Sequence, residues 1–197
     1  MKNPGRNPDA RRSAFTLIEL VVVLTIAGVL GAMAIPRMTS LSLYRADAAA
    51  QQVRSVFITA QRTSLTRQYD VIVSVDTIRG GLRIAEDMDN SGTITANETR
   101  FWRPPGEGNR FSRPAFGVNV TAPGASVYGS SLKQVDNLPS IVFHRDGSAS
   151  SDAEVYMSST YRRRVDFRAI TLVRSTGRAD LYRLAGTGTN AHWEVVQ

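Results

Sequence analysis

The most constraining feature of the sequence is an apolar stretch near its amino terminus. From Phe15 to Ile35 the chain has 21 residues and a single charged side chain, Glu19. A helix of this length spans roughly 31 Å, because each residue adds about 1.5 Å, and this matches the thickness of a bilayer core. The stretch therefore predicts a transmembrane helix. An unpaired carboxylate in lipid costs on the order of 3 kcal/mol, so Glu19 is expected to meet a partner of opposite charge.

The residues before this stretch predict its orientation. Residues 1–14 contain one acid, Asp9, and four basic side chains, those of Lys2, Arg6, Arg11 and Arg12. Because basic residues are enriched on the cytoplasmic side of membrane spans, the amino terminus is expected in the cytoplasm and the bulk of the chain outside it. A signal anchor and a secretory signal peptide are the alternatives. A secretory apolar region is usually only about 7 to 15 residues long.

The basic leader, the small residue Ala14 and the run Phe15-Thr-Leu-Ile-Glu19 resemble the class III signal sequence of type IV pilins and type II secretion pseudopilins. The resemblance implies that a prepilin peptidase cuts between Ala14 and Phe15 and that the new amino group of Phe15 is methylated. It also implies that Glu19 pairs with the terminal ammonium of a neighbouring subunit during assembly. The family prefers Gly before the cut, so Ala14 predicts slower processing.

The helical pattern continues after the apolar stretch. Ala49, Val53, Phe57 and Ala60 recur at spacings of three or four, which predicts an amphipathic continuation over residues 37–67. Pro36 removes one helical hydrogen bond and predicts a kink near the membrane exit. Pilin-like proteins commonly carry a Gly and a Pro where this chain has Gly28 and Pro36. The alternative is a break at Pro36 followed by an unrelated second helix.

Beyond residue 68 the hydrophobic period changes from about 3.6 to 2, which indicates strands. The predicted strands cover residues 71–75, 81–84, 99–103, 116–120, 140–144, 153–157, 168–173, 179–183 and 192–196. Residues 104–129, rich in Pro and Gly, are predicted to form a long loop. The fold class is therefore α+β, with a leader over 1–14, a membrane helix over 15–36, its continuation over 37–67 and an antiparallel β-rich domain over 68–197 packed on the helix.

The β-rich region resembles the carboxy-terminal half of the GspH/FimT family of minor pseudopilins and minor pilins. The likeness rests on Ile141-Val-Phe143 followed by Asp146-Gly147, and on residues 168–174 closing on Ser175-Thr-Gly-Arg178. The resemblance implies a pilin-like subunit in the inner membrane that assembles with other pseudopilins into a periplasmic pseudopilus for export of folded proteins. The alternative is a minor pilin of a type IV pilus, with DNA binding in DNA uptake.

One segment has the spacing of a calcium-binding loop. Residues 87–98 place oxygen-bearing side chains at positions 1, 3, 5, 9 and 12, a backbone carbonyl at position 7 and a glycine, Gly92, at position 6. The candidate ligands are Asp87, Asp89, Ser91, Thr93, Thr95 and Glu98. The same residue types favour turns, and strands rather than helices flank the segment, so a plain hairpin turn is the alternative to a Ca²⁺ site.

Arg178 is the candidate contact for nucleic acid. Some family members bind DNA through basic residues after a Gly-Arg pair near the carboxy terminus, and Gly177-Arg178 resembles that pair. Asp180 lies two residues further on and would repel phosphate, so a solvated strand face is the alternative role.

Enzymatic activity is not predicted. The chain has no Cys and only two His, His144 and His192, and neither belongs to a nucleophile motif or a Gly-rich phosphate loop. Both histidines are expected to be exposed surface residues of β-strands. A resident cofactor other than the possible Ca²⁺ is not predicted either.

Overall fold

A computed structural model describes residues 16–95, 97–98, 100–106, 108–112, 132–186 and 190–196, with side chains for all of them except residues 33–40 and 100. One α-helix at the start is followed by two antiparallel sheets, which confirms the predicted α+β class. The cleavage residues Ala14 and Phe15 and the predicted strand over 116–120 lie outside the described residues.

The helix α1, Leu17–Arg67, runs through Gly28 and Pro36 without interruption. The expectation of one continuous helix is thus confirmed, and the alternative of a separate second helix is wrong. The kink at Gly28 and Pro36 stays a prediction. The helix ends where Gln68 takes a positive φ of 60°, and its backbone N–H bonds to Ser64 O at 3.0 Å, a common way of closing a last turn.

The chain divides into two compact units, Met1–Ser40 and Leu41–Gln197, and α1 contributes to both. In order, the strands are β1 Asp70–Asp76, β2 Gly81–Asp87, β3 Arg100–Arg103, β4 Asn109–Phe111, β5 Lys133–Val135, β6 Leu138–Phe143, β7 Ala153–Ser159, β8 Arg168–Leu172, β9 Ala179–Ala185 and β10 His192–Val195, with a 3₁₀ turn at Arg164–Asp166. The first sheet has the order β3-β2-β1-β6-β5, and the second has the order β10-β9-β8-β7-β4.

The core of the second unit forms where both sheets meet one face of α1. The helix buries side chains at spacings of three and four, namely Ala46, Ala49, Ala50, Val53, Val56, Phe57 and Ala60. Alternate residues of the strands join them, for example Val71, Val73 and Val75 in β1, since side chains on one face of a strand recur every second residue. The periodicity seen in the sequence therefore marks the face that is buried.

The outer face of the first sheet carries a smaller apolar cluster. Ile72, Ala85, Val135 and Val142 are buried there, and Ile94 packs against them. Ile94 belongs to the connection between β2 and β3, so this connection is fixed to the sheet by a hydrophobic contact as well as by its two strands.

Eight of the nine predicted strands are confirmed, and two more strands were missed. β4 lies within residues 104–129, so the prediction of a loop is wrong for Asn109–Phe111. β4 and β5 have three residues each, and neither shows an apolar alternation long enough to detect. They pair with the longer strands β7 and β6 respectively.

Candidate functional site

The first candidate site is the start of α1. Thr16 precedes the helix, and its hydroxyl oxygen accepts a hydrogen bond from the backbone N–H of Glu19 at 3.3 Å. Thr16 and Glu19 have the spacing of a capping box, in which an N-cap hydroxyl binds the third helical N–H. Glu19 itself is exposed. Sequence reasoning gave Glu19 an assembly role and missed the capping role of Thr16, although the Thr-x-x-Glu pattern was visible.

The apolar side chains on both sides of Glu19 are exposed around the whole circumference of the helix. Leu17 is 82% exposed, Leu24 62% and Leu30 62%. A helix that is hydrophobic on every side needs an apolar environment from outside its own chain. Among the residues whose side chains are described, no helical segment is both long and apolar enough to span a membrane.

The second candidate site is the connection between β2 and β3, called the acidic loop here and comprising residues 87–98. The side chains of Asp87 and Glu98 are buried, while Asp89 is exposed. One carboxylate oxygen from each of the three residues lies within 4.8 Å of the others. The fold thus brings together three of the six predicted ligands, from the end of β2 and from the approach to β3.

Backbone N–H groups organise the carboxylate of Asp87. Ser91 N donates to Asp87 Oδ1 at 2.9 Å, and Gly92 N donates to Asp87 Oδ2 at 2.6 Å. Ser91 N also donates to Asp89 Oδ1 at 3.0 Å. Gly92 has a φ of 73°, a conformation that glycine adopts without steric cost, which explains its place in the turn.

The pKa values of the two aspartates of the acidic loop are shifted in opposite directions. Burial raises the pKa of Asp87 above its ordinary value, and the hydrogen bonds from Gly92 and Ser91 only partly oppose this effect. The bonds from Ser91 lower the pKa of Asp89, which is open to solvent. The loop therefore holds one carboxyl that resists ionisation beside one that favours it.

The remaining predicted ligands occupy different positions around the carboxylates. Ser91 Oγ lies 3.5 Å from Asp87 Oδ1, and it is 3.3 Å from the backbone oxygen of Thr93. The hydroxyls of Ser91 and Thr93 are 3.0 Å apart and hydrogen-bonded. Thr95 contributes its backbone N–H, which donates to Glu98 Oε2 at 2.5 Å.

Arg178 lies in the connection between β8 and β9. Its side chain is 70% exposed, and its guanidinium is 2.7 Å from Asp180 Oδ2. The acid that weakened the DNA hypothesis in the sequence is thus the ion-pair partner of Arg178. Gly177 has a φ of 63°, and a Cβ there would overlap Gly147 O and Gln61 Nε2. Close packing against α1 therefore accounts for this glycine.

Both histidines have acidic neighbours. His144 Nδ1 lies 2.8 Å from Asp70 Oδ2, just after β6, and His192 Nε2 lies 3.2 Å from Glu194 Oε1 in β10. Hydrogen bonding to Asn190 O, followed by that to Glu194, raises the pKa of His192. These are separate surface pairs, one on each sheet.

The comparisons with known proteins identify one motif. A family model of the prokaryotic N-terminal methylation motif matches residues 9–35. Comparison with curated proteins and with solved structures finds no significant match. The motif, together with one amino-terminal helix followed by antiparallel sheets, supports a type IV pilin-like protein of the pilin or pseudopilin kind, processed by a prepilin peptidase and assembled with other pilins. Such a protein is a structural component and not an enzyme.

Proposed function

We propose that the chain is a minor pseudopilin of a type II secretion system, of the GspH/FimT family, that assembles into a periplasmic pseudopilus for export of folded proteins. The observation that carries this proposal is the methylation motif at residues 9–35, which covers the exposed apolar start of α1. In the proposed function this segment is held in the inner membrane by one span, with the amino terminus in the cytoplasm and the β-rich unit in the periplasm. It then leaves the bilayer for the helical bundle of the fibre.

The packing of the two carboxy-terminal motifs supports the finer family assignment. The turn at Asp146-Gly147 and the turn at Thr176-Gly177 lie side by side, because Gln61 Nε2 donates to Gly147 O at 2.9 Å and to Thr176 O at 2.5 Å. Ala149 N also donates to Arg174 O at 2.8 Å. The segments that carry the family resemblance thus lie next to each other beside Gln61 of α1, and this proximity supports the proposed assignment.

The DNA-binding alternative receives less support. Its one predicted contact, Arg178, is paired with Asp180, which reduces the positive charge that a phosphate would meet. We therefore propose a secretion fibre for this chain, and the test below distinguishes it from a type IV pilus.

The test begins with processing in cells that contain a prepilin peptidase. Mass spectrometry of the membrane-extracted chain should show loss of residues 1–14 and one added methyl group at Phe15. Ala14→Gly should speed cleavage, and Ala14→Leu should block it, because the residue before the cut must be small. An intact Met1 in the unsubstituted protein would contradict the proposal.

The second step distinguishes the two fibres. Deletion of the gene should stop release of folded proteins to the medium and leave pilus-dependent motility and DNA uptake intact. Crosslinking from the β-rich unit should capture pseudopilins. Normal secretion with loss of DNA uptake would instead assign the chain to a type IV pilus.

A further inference from the structure

We propose that the acidic loop is a calcium site in which the carboxylates of Asp87, Asp89 and Glu98 hold one Ca²⁺ ion. One carboxylate oxygen from each residue lies within 4.8 Å of the others. Asp87 is the last residue of β2 and Glu98 lies two residues before β3, so the two ends of the loop meet at this cluster. Like charges at this separation repel one another, and the repulsion grows when two of the groups are buried. A divalent cation removes the repulsion and uses the same oxygens as ligands.

The buried side chain of Glu98 points to a ligand independently of the cluster. It is only 6% exposed, and its Oε1 atom has no hydrogen-bond donor within the described part of the chain. Its other oxygen, Oε2, accepts the N–H of Thr95. Leaving a buried charged oxygen without a partner is costly, so native proteins pair such atoms with a donor or a metal ion. The carboxyl group of Glu98 also supplies one of the three oxygens that converge within 4.8 Å.

The donor set selects calcium among the common metals. All six side chains at the ligand positions offer oxygen, and the loop contains no His or Cys, the usual ligands of zinc and copper. Ser91 Oγ lies 3.5 Å from Asp87 Oδ1 and 3.3 Å from Thr93 O, so a hydroxyl beside the carboxylates and a neighbouring carbonyl oxygen are available to the set. Ca²⁺ takes 6–8 oxygens in flexible geometry, whereas Mg²⁺ demands a near-ideal octahedron and keeps most of its water.

One positive charge already lies near the loop. A Cβ at Gly92 would overlap the ammonium of Lys133, so this side chain lies against the turn. A single ammonium does not balance three carboxylates, and its position beside Gly92 leaves Glu98 Oε1 without a donor among the described residues. Lys133 therefore lowers the local negative charge without replacing the ion.

Calcium at this position would tie the edge strand β3 to the rest of the sheet. The loop is already fixed at two points, through Ile94 on the outer apolar cluster and through Asn90 Oδ1, which accepts the N–H of Asp70 at 2.9 Å. Glu98 lies two residues before β3, so its binding to the ion would add a third point of attachment and restrain the exposed residues Phe101 and Trp102 of β3.

The experiment uses the full mature chain in detergent, freed of metal with a chelator and then titrated with calcium chloride. Calorimetry should give a dissociation constant of about 10⁻⁴ to 10⁻³ M, the range of extracellular calcium modules. At 10 mM calcium the melting temperature should rise by roughly 3 to 6 °C, because the ion binds the folded state only. Magnesium chloride at the same concentration should raise it by less than about 1 °C.

Asp146 offers a matched control for Asp89. Each is an exposed aspartate whose Oδ1 accepts the backbone N–H of the serine two residues later, at 3.0 Å for Asp89 and 2.9 Å for Asp146. Asp89→Ala should abolish the calcium response, and Asp146→Ala should keep it, although both substitutions remove one charge and one turn bond. Glu98→Gln should weaken binding at least about tenfold, since it keeps the shape of the side chain and removes its charge.

Three results would overturn the proposal. They are no heat of binding and no thermal shift up to 10 mM calcium, an equal shift in Asp89→Ala and Asp146→Ala, or an equal shift with magnesium. Any of these would leave the acidic loop as a plain hairpin turn. The outcome does not depend on which fibre the chain enters, so failure here would not affect the proposed function.

Discussion

Arg83 is a charged side chain that is buried within the first sheet. It lies in β2, is 6% exposed, and donates to Val135 O at 3.1 Å and Ser74 Oγ at 3.4 Å. Ser140 Oγ donates in turn to Ser74 Oγ at 2.7 Å. The counter-charge is Asp136, in the turn between β5 and β6, at 2.6 Å. Neighbouring strands and the turn at Asp136 supply acceptors for both terminal nitrogens of this buried guanidinium, while its Nε has no partner among the described residues.

We expect Asp136→Asn to lower the free energy of unfolding by about 1–2 kcal/mol, because it leaves the buried guanidinium of Arg83 without its counter-charge. Asn also suits the positive φ of 51° at this position, so the turn is kept. Glu194→Gln is the control, since its pair with Arg183 is exposed on both sides and should contribute less than about 1 kcal/mol. Urea unfolding of the mature chain in detergent measures both. Equal losses would show that burial of Arg83 does not matter.

Gly177 is a residue whose identity follows from close packing. A Cβ there would overlap backbone oxygen and the amide of Gln61, and its φ of 63° disfavours other residues. Gly177→Ala should therefore cost about 2–4 kcal/mol. Gly108 has a similar φ of 74° with open space around it, so Gly108→Ala should cost only about 1 kcal/mol. If both substitutions cost the same, backbone conformation alone would explain Gly177.

At the scale of elements, the sequence predicts best where a long regular pattern meets one buried face. The spacing of Ala49, Val53, Phe57 and Ala60 predicted the core face of α1 correctly. The three-residue strands β4 and β5 could not be found this way. β5 depends on the two-residue turn Asp136-Asn137, where both residues have positive φ, and on pairing with β6.

The acidic loop, too, could be predicted from the sequence only in part. The ligand spacing predicted which residues matter, but the burial of Glu98 and the contact of Ile94 with the outer cluster depend on the neighbouring strands. Three-dimensional neighbours far apart in sequence, such as Val135 and Ala85 beside Ile94, leave no local pattern. Burial of a polar atom is therefore the part of a site that sequence reasoning alone misses most easily.

The start of α1 raises the question of whether Glu19 acts through its charge or through the helix cap. Glu19→Gln separates the two, because Gln can also complete a capping box but carries no charge. We expect Glu19→Gln and Glu19→Val to be processed normally and to enter the fibre more than about tenfold less, since a charge pair in a low-dielectric bundle would be lost.

Thr16→Ala is the control for this prediction. It removes the hydroxyl that accepts Glu19 N–H, weakens the helix start by about 1 kcal/mol and should leave incorporation near the normal level. Crosslinking to neighbouring subunits measures incorporation. If Glu19→Gln assembles normally and Thr16→Ala does not, Glu19 acts through the cap and the proposed ion pair is absent.

At the scale of the whole molecule, the two units have different sources of stability. The unit Leu41–Gln197 has an extensive core to which α1 and both sheets contribute, and its first buried apolar side chain is Ala46. The described apolar side chains of the other unit, from Leu17 to Leu30, are exposed. Its stability must therefore come from an apolar environment outside the chain, such as a membrane or other subunits.

We accordingly expect the fragment Leu41–Gln197 to fold alone, as a water-soluble monomer with a single cooperative thermal transition. The enthalpy of unfolding should be near 0.7 kcal/mol per residue at about 60 °C, the value for well-packed domains.

A fragment of residues 62–197 is the matched control. It keeps every strand but loses the seven buried helical side chains from Ala46 to Ala60, among them Phe57, whose ring lies 6.3 Å from that of Phe143. Removing one such aromatic ring from a core costs about 3–5 kcal/mol, so losing all seven side chains exceeds the total stability of an ordinary domain. Differential scanning calorimetry should show no transition for the shorter fragment, and a cooperative transition there would mean that the two sheets are stable without α1.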